Sequence, residues 1–335
     1  MKNKKLNFLV LFVALSLVLY FTLKDDFHGI ISKLKEVNGW IFIISIIVLL
    51  ISLFFKSVSL KIFIKGYKPD YTGKSAYVLT LIGQFLNGIT PFQSGGQPFQ
   101  IYLLKKDGVR ISDSTNAMIK DGLSYQIALI LVGIFTLLIN LKFHVLSKNN
   151  YINGLIFLGF AINTIVLLMI LIVAFDKKTG LKLSNKIIHF VFKFKVIRKF
   201  GTSEEKIKEG LKHFYETGSE IKKDKVVLIK GVIYNIIHLF SLYLIPFIIF
   251  RSLGFDGISI IESIIATSFV MLIGNIIPIP GATGGIEYGF MQFFGRFIQG
   301  PVLSSAMLLW RFVTYFLAMI IGFVCLMFKK GVKKL

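Results

Sequence analysis

The sequence predicts an all-α polytopic membrane protein with about six full transmembrane helices and two opposed re-entrant hairpins in an inverted repeat. Three observations predict this fold: the composition, the spacing of the apolar segments, and two matched breaks within them. Of 335 residues, 55% are hydrophobic and 34 are Phe, and the mean hydropathy is +0.74. A soluble domain of this size does not have such a composition.

The positive charge of the chain follows its predicted membrane topology. A net charge of +22 fits either nucleic acid or an anionic membrane surface as a partner. Lys and Arg cluster between the apolar segments, in residues 56–74, 105–110, 176–225 and 329–334. Cytoplasmic loops are enriched in this way. We therefore expect cytoplasmic N- and C-termini and contacts with anionic inner-leaflet lipids, and we expect no nucleic-acid partner.

The apolar segments are long enough to cross a bilayer, which takes ~20 helical residues. The first segment follows Lys2, Lys4 and Lys5 and lacks a small-residue cleavage site, so it reads as a signal anchor rather than a cleaved signal peptide. Full spans are predicted at 6–23, 39–55, 114–140, 151–175, 226–250 and 302–328.

Two further apolar segments are each interrupted by a similar motif, which begins with Pro and ends with Gly-Gly. Residues 91–96 read Pro-Phe-Gln-Ser-Gly-Gly, and residues 280–285 read Pro-Gly-Ala-Thr-Gly-Gly. Pro lacks a backbone N–H and Gly favours non-helical conformations, so neither stretch continues an α-helix. We name them the first elbow and the second elbow. Hydrocarbon offers non-helical backbone no hydrogen-bond partner, so the elbows predict a polar site buried within the protein.

The flanking charges predict how each interrupted segment enters the membrane. Basic residues flank segment 76–104 on both sides, which favours a re-entrant hairpin from the cytoplasmic face. Segment 258–298 must then enter from the outer face if the last span is to end inside. The predicted organisation is an N-terminal half (1–175), a basic cytoplasmic loop (176–225) with 14 Lys or Arg and 7 Asp or Glu, and a C-terminal half (226–335).

Polar and glycine residues around both elbows predict a headgroup site. Half-helix ends expose N–H groups with partial positive charge, which suit phosphate or another anion. The alternative is that Gly and Pro only permit tight helix packing. The predicted substrate-binding residues are Gln84, Asn87, Thr90, Gln93, Ser94, Gly95, Gly96, Gln97, Lys120, Asp121, Asn275, Thr283, Gly284, Gly285, Glu287 and Arg311.

The charged members of this set have competing interpretations. Asp121 and Arg311 lie at similar distances beyond the two elbows, which suggests one ion pair between the halves. Alternatively, Lys120 reaches the inner surface and neutralises Asp121 there. Glu287, at membrane depth, suits either a proton-linked role or the cap of the helix that restarts after the second elbow.

Nothing in the sequence predicts a soluble catalytic site. The single cysteine, Cys325, excludes an intramolecular disulfide and is expected to pack in the last helix. The five histidines show no metal-ligand spacing, and no nucleophile elbow or phosphate-binding loop appears. We expect no catalytic residue, no metal and no cofactor.

The motifs resemble the lysylphosphatidylglycerol synthase transmembrane family. The resemblance rests on residues 83–96 with Lys120-Asp121, and on residues 278–287 with Arg311. In the larger members, the multiple peptide resistance factors, such a region moves aminoacylated phosphatidylglycerol to the outer leaflet of the bacterial cell membrane. A separate cytosolic domain synthesises that lipid, and these 335 residues contain no such domain.

The resemblance implies a lipid translocase of the flippase type, linked to antibiotic resistance, that acts on a membrane phospholipid such as lysylphosphatidylglycerol. A separately encoded aminoacyl-lipid synthase is a possible partner. Two alternatives stay open: a phosphatidylglycerol lysyltransferase, or the membrane partner of one, and a scaffold that transports nothing. The usual family order of the first charged pair is acidic then basic, the reverse of Lys120-Asp121, so the lipid specificity also stays open.

Overall fold

A computed structural model of the chain describes residues 27–146, 150–175 and 225–329. These residues form helices and turns and contain no strand. The helices are α1 (Phe27–Lys35), α2 (Gly39–Lys65), α3 (Gly73–Gly88), α4 (Gly96–Lys106), α5 (Ile111–Phe143), α6 (Asn150–Phe175), α7 (Lys225–Ser252), α8 (Ile260–Gly274), α9 (Gly285–Phe294) and α10 (Pro301–Phe328).

Five of the described helices are long and apolar enough to cross a membrane. They are α2, α5, α6, α7 and α10, and they coincide with five of the six predicted spans. The remaining predicted span, 6–23, lies outside the described residues, as does nearly all of the basic loop 176–225. The chain is therefore a multi-pass, all-helical membrane protein.

The predicted end of the second span at residue 55 is wrong by ten residues. No Gly or Pro interrupts the sequence between Gly39 and Gly66, and Leu60, Phe63 and Ile64 are buried, so α2 continues to Lys65. Lys56 consequently lies inside a membrane helix rather than in a cytoplasmic loop.

Helices α2 and α7 run antiparallel and define the two ends of the molecule. At one end the Asn38 N–H donates to the Ser252 carbonyl over 2.7 Å. Near the other end Phe63 packs on Gly231, where an added Cβ would lie 2.5 Å from the Phe63 ring. We call the first end the Ser252 end, and the second the Asp107 end, because Asp107 lies there.

Each interrupted segment folds as a helical hairpin, and the two hairpins open toward opposite ends. Helix α4 finishes at the Asp107 end, where the Lys68 ammonium donates to the Asp107 carbonyl over 2.6 Å. The Asp107 carboxylate accepts from Lys329, at the close of α10, over 2.8 Å. Helix α9 finishes at the Ser252 end, where Arg296 donates to the carbonyls of His144 and Leu146.

The two elbows contact each other, although the first is largely exposed and the second is mostly buried. An aromatic cluster supports the second hairpin, because the Phe290 ring stacks on Phe294 at 4.3 Å and on Trp310 at 4.9 Å. Helix α10 approaches α3 at Gly322, where an added Cβ would lie 2.1 Å from the Leu81 carbonyl oxygen. A π-helical turn, Phe312–Leu317, interrupts α10 beside the elbows.

Candidate functional site

The first elbow is held by side chains that cap the start of α4. The side-chain amide oxygen Oδ1 of Asn87 accepts from the Gly96 N–H over 2.8 Å. The Thr90 hydroxyl accepts from the Gly95 N–H over 2.9 Å and donates to the Leu86 carbonyl. The sequence predicted open N–H donors here, but in this conformation the protein itself satisfies those at Gly95 and Gly96. Asn87 and Thr90 therefore shape the elbow.

Other polar groups of the first elbow face outward. Gln93, Ser94 and Gln97 are exposed, and Gln84 on α3 is half-buried. The backbone is left-handed at Phe92 and at Gln93, with φ of 52° and 53°. Non-glycine residues adopt this region rarely, and such strain is concentrated at functional sites. Gln93, Ser94 and Gln97 are therefore the exposed hydrogen-bonding groups at this elbow.

The second elbow is capped by Glu287. One carboxylate oxygen of Glu287 accepts from the Gly284 N–H over 2.6 Å, which confirms the capping interpretation of this residue. The Thr283 hydroxyl donates to the Pro280 carbonyl over 2.9 Å and closes the turn. Gly285 packs on Ile277, and Asn275 is exposed at the end of α8.

Arg311 forms a buried ion pair with Glu287. Its Nε atom lies 2.7 Å from the second carboxylate oxygen of Glu287, and the two side chains are only 7% and 6% exposed. The N–H direction does not meet hydrogen-bond geometry, so the contact is ionic. A second guanidinium nitrogen donates to the Thr283 hydroxyl over 3.3 Å. Arg311 thus contacts both Glu287 and Thr283 at the second elbow.

Tyr315 connects the end of α3, just before the first elbow, to the second elbow, and the sequence analysis missed it. Its hydroxyl donates to the Gly88 carbonyl, at the close of α3, over 2.9 Å. Its ring lies against Gly281 of the second elbow, and the Arg311 guanidinium carbon lies 4.3 Å from the ring centroid. The available signal was the four-residue spacing between Arg311 and Tyr315, which places both on one face of a helix.

The predicted ion pair between Asp121 and Arg311 is wrong. One Asp121 carboxylate oxygen accepts from the Lys56 ammonium over 2.8 Å, and the other accepts from the Ser59 hydroxyl over 2.8 Å. Each buried charge is instead neutralised within its own predicted half: Asp121 by Lys56 and Arg311 by Glu287. The sequence interpretation missed Lys56 because it placed this residue in a loop.

The Lys56–Asp121 pair belongs to a buried polar network between α2, α5 and α7. The Lys56 ammonium also donates to Asn235 over 3.1 Å, and the Asn235 amide donates to Ser59 and Ser124. Closer to the Ser252 end, another buried hydrogen bond joins α2 and α7, with the Ser52 hydroxyl 2.8 Å from Nδ1 of His238. The four- and three-residue spacing of Ser52, Lys56 and Ser59 places these polar side chains on one face of a helix. This pattern in the sequence could have indicated the buried network.

Lys120 lies beside Tyr67. Its side chain is buried, with its ammonium 5.2 Å from the centroid of the Tyr67 ring. The alternative in which Lys120 neutralises Asp121 is therefore wrong, since Asp121 pairs with Lys56. Helix α5 contacts the first elbow region at Gly122, where an added Cβ would lie 3.3 Å from the Gln97 amide nitrogen.

The geometry brings together one part of the predicted site. Glu287, Thr283 and Arg311 meet at the second elbow, and the first elbow contacts the second. Lys120 and Asp121 lie apart from this centre. Within the described ranges, no group of His, Cys, Asp and Glu side chains is placed to hold a metal ion.

Comparison with known proteins assigns the family. Residues 7–322 match the family described as the lysylphosphatidylglycerol synthase transmembrane region. The chain belongs to this family. A family member, the UPF0104 membrane protein of Methanocaldococcus jannaschii, is 25% identical over 284 residues, covering 80% of this chain and 77% of the relative. Another, from Methanothermobacter thermautotrophicus, is 24% identical over 241 residues, covering 71% and 70%. Both relatives are archaeal, so the bacterial location stays a prediction.

Proposed function

We propose that this family member moves a polar lipid between the two leaflets of its membrane. The observation that carries the proposal is the contact between the elbows of two opposed hairpins, beside the buried Arg311–Glu287 pair of the second elbow. Broken helices and buried charges at membrane depth are typical of transport sites.

The length of α3 supports a location of the elbows within the bilayer. With 16 residues this helix is about 24 Å long at ~1.5 Å per residue. It starts at the Asp107 end, and if it begins in the headgroup region its other end brings the first elbow close to the middle of a hydrocarbon layer that is ~30 Å thick. We propose that both hairpins are re-entrant, that they form an inverted repeat, and that the elbows lie near the midplane.

The polar groups at the elbows suit a headgroup that carries both phosphate and amine. The Arg311 guanidinium is the cation that would bind a phosphate, since its fork matches phosphate oxygens. Glu287 would then receive the amine while it keeps its bond to the Gly284 N–H. Gln93, Gln97 and Asn275 are exposed and add neutral hydrogen-bonding groups. The headgroup would thus replace one buried ion pair with two.

Lysylphosphatidylglycerol is the first lipid to test, because the family is described by its synthase. The assay uses cells that make this lipid from a separately supplied synthase, with and without this chain. Mass spectrometry measures the total lipid, and a membrane-impermeant amine reagent measures its outer-leaflet fraction. We expect a higher exposed fraction at constant total. An unchanged fraction would remove this lipid as the substrate.

The family description also favours a second candidate, a role in lipid synthesis. As a phosphatidylglycerol lysyltransferase, or as the membrane partner of one, the chain would raise the total amount of lysylphosphatidylglycerol. The same assay separates the candidates. A higher total without the supplied synthase would identify an enzyme, whereas a scaffold would change neither quantity and would tolerate substitution at both elbows.

The proposed topology places both termini in the cytoplasm. The Asp107 end is then the cytoplasmic end, in agreement with its Lys-rich helix ends. The topology can be tested in a Cys325→Ser background, since Cys325 is the only native cysteine. A cysteine introduced at position 107 should react with an impermeant thiol reagent only after cell lysis, whereas labelling of intact cells would reverse the orientation.

A further inference from the structure

The Lys56 ammonium lies among three groups that belong to α5 and α7. The Asp121 carboxylate oxygen Oδ2 lies 2.8 Å from its nitrogen, and the Asn235 amide oxygen lies 3.1 Å from it. The same nitrogen lies 4.9 Å from the centroid of the Tyr125 ring. An ammonium group has three N–H donors, and carboxylate oxygens, amide oxygens and aromatic faces all attract it. We call Asp121, Asn235 and Tyr125 the ammonium cage.

The oxygens of the ammonium cage are oriented by hydrogen bonds that do not involve Lys56. The other Asp121 carboxylate oxygen accepts from the Ser59 hydroxyl over 2.8 Å. The Asn235 amide nitrogen donates to the hydroxyl oxygens of Ser59 and Ser124 over 2.8 and 2.9 Å, which leaves its amide oxygen facing the ammonium. Supporting bonds of this kind hold a binding group in place. The cage therefore keeps its acceptors in position when the Lys56 ammonium moves out.

Lys56 is the part of this arrangement that can leave. Its side chain comes from α2, has a flexible four-carbon stem and is 17% exposed, whereas the Asp121 side chain is 8% exposed. Part of Lys56 thus reaches the surface of the protein, and its ammonium can swing away by rotation of the stem alone. The buried carboxylate that remains is costly unless another cation enters. Exchange of one cation for another conserves the charge inside the cage.

The groups of the ammonium cage favour a primary ammonium as the incoming cation. A primary ammonium reproduces the donors of Lys56 and its contact with the Tyr125 ring. A quaternary ammonium has no N–H to donate, so it leaves the acceptors of Asp121 and Asn235 unpaired. Sites built from hydrogen-bond partners strongly reject an analogue that lacks the matching group. The cage should therefore discriminate between primary and quaternary amines.

We propose that the ammonium cage is a binding site for a primary alkylammonium ligand, and that Lys56 fills it in this conformation and gives way to the ligand. The ligand is either a free amine or the headgroup of an aminophospholipid. Lys56 precedes the end of α2 at Lys65 by about 13 Å, at ~1.5 Å per residue. A headgroup in the cage has thus left the membrane surface, and its phosphate would bind the displaced Lys56. The site is separate from the Arg311–Glu287 pair and does not depend on lipid translocation.

The test measures how readily Lys56 of the purified full chain is acetylated, because displacement exposes its ammonium. Peptide mass spectrometry compares Lys56 with the exposed Lys74 in the same sample, so consumption of reagent by an added amine affects both. The added ligands are ethylammonium, tetramethylammonium, dioleoylphosphatidylethanolamine and dioleoylphosphatidylcholine. We expect acetylation of Lys56 relative to Lys74 to rise several-fold with a primary amine and to stay unchanged with both quaternary amines. A rise with ethylammonium identifies a free amine as a sufficient ligand, and a rise with the lipid alone identifies the headgroup.

Two variants separate the ammonium cage from general loosening of the helices. Asp121→Asn removes the charge of the cage, so Lys56 should be acetylated readily and a primary amine should cause no further rise. Ser52→Ala is the matched control, because it removes the neighbouring hydrogen bond to His238 and leaves the cage intact. It should respond to primary amines as wild type does.

A second measurement uses the cage without its internal cation. Lys56→Ala is destabilised, and ethylammonium should raise its melting temperature, whereas tetramethylammonium should not. The double variant Lys56→Ala/Asp121→Asn should respond to neither. Equal responses to primary and quaternary amines, no response of wild-type Lys56 to either primary amine, or equal stabilisation of the single and double variants would each overturn the proposal. Neither measurement involves lipid movement, so failure here leaves the proposed translocation untouched.

Discussion

The Tyr315 hydroxyl donates a 2.9 Å hydrogen bond to the carbonyl of Gly88, and so joins α10 to the end of α3, just before the first elbow. The same ring lies against Gly281 of the second elbow and beside the Arg311 guanidinium. One side chain therefore contacts the end of α3, the second elbow and the buried cation. Any movement that separates the hairpins must break or move this bond.

We predict that Tyr315→Phe weakens this connection without removing the ring. Loss of the hydroxyl leaves the Gly88 carbonyl without its side-chain donor, which should cost about 1 kcal/mol of folding stability. The rate of lipid movement should fall clearly, whereas the melting temperature should fall only slightly. The matched control is Tyr102→Phe, at a partly exposed position on α4. Identical transport by wild type and Tyr315→Phe would contradict a role for this bond.

A second prediction concerns the buried pair of Arg311 and Glu287. Arg311→Ala leaves a buried carboxylate without its cation, which should cost about 3–5 kcal/mol and abolish lipid movement. Arg311→Lys keeps the charge but loses the fork, so it should fold better than the alanine variant and still move lipid poorly. Arg110→Ala removes the exposed partner of Asp113 and serves as the control. Full transport by Arg311→Ala would contradict the site.

A third prediction separates strain from packing at the second elbow. Gly281 has φ of 64°, and an added Cβ would lie 2.4 Å from the Tyr315 ring. Gly254 has φ of 73° with nothing within 4 Å, so Gly254→Ala should show only the left-handed cost of about 1–2 kcal/mol. Gly281→Ala should be destabilised further and should lose transport. Equal melting temperatures for the two variants would show that the ring moves away freely.

A fourth prediction tests the buried network with a double-mutant cycle. Lys56→Met and Asp121→Asn each leave one buried group without its ionic partner, at a cost of about 3–5 kcal/mol. The double variant Lys56→Met/Asp121→Asn should cost less than the sum, since neither charge remains. Thermal unfolding in detergent measures all three. Strict additivity would mean that the two side chains do not interact.

A fifth prediction concerns pH at the Asp107 end, outside the spanning helices. Burial, together with the nearby Asp107 carboxylate, raises the pKa of the Tyr71 phenol above its usual value. The folded state therefore holds this proton more tightly than the unfolded chain does. The stability contribution is complete below the ordinary tyrosine pKa of ~10 and is lost as pH rises beyond it. Tyr71→Phe should lose less stability than wild type between neutral pH and alkaline pH.

The sequence was sufficient to predict five membrane-spanning helices and both elbows, because hydrophobic composition and the positions of Pro and Gly are local signals. Five spans and two hairpins lie close to the predicted segments. The partners of the buried charges were not local. Lys56 and Asp121 lie 65 positions apart, and no pattern in either segment identifies the other. The pairing depends on how α2, α5 and α7 pack, which only the structure shows.

The roles of the polar side chains at the first elbow could also not be predicted from the sequence. Asn87 and Thr90 looked like ligands because they are polar in an apolar segment, but a helix that restarts after a break needs acceptors for its first N–H groups. Glu287 could be read correctly as a cap because its position relative to Gly284 is itself local.

The most direct test is lipid movement by the purified chain in liposomes that contain a trace of fluorescent phospholipid with an amine-bearing headgroup. A membrane-impermeant reductant bleaches only the outer-leaflet fluorophore, so the rate of the remaining decay reports movement between leaflets. We predict faster decay with wild type than in protein-free liposomes, and decay only slightly faster than the protein-free rate with folded Arg311→Lys. Equal decay with wild type and without protein would contradict translocation of such lipids, and equal decay with wild type and Arg311→Lys would contradict the elbow site.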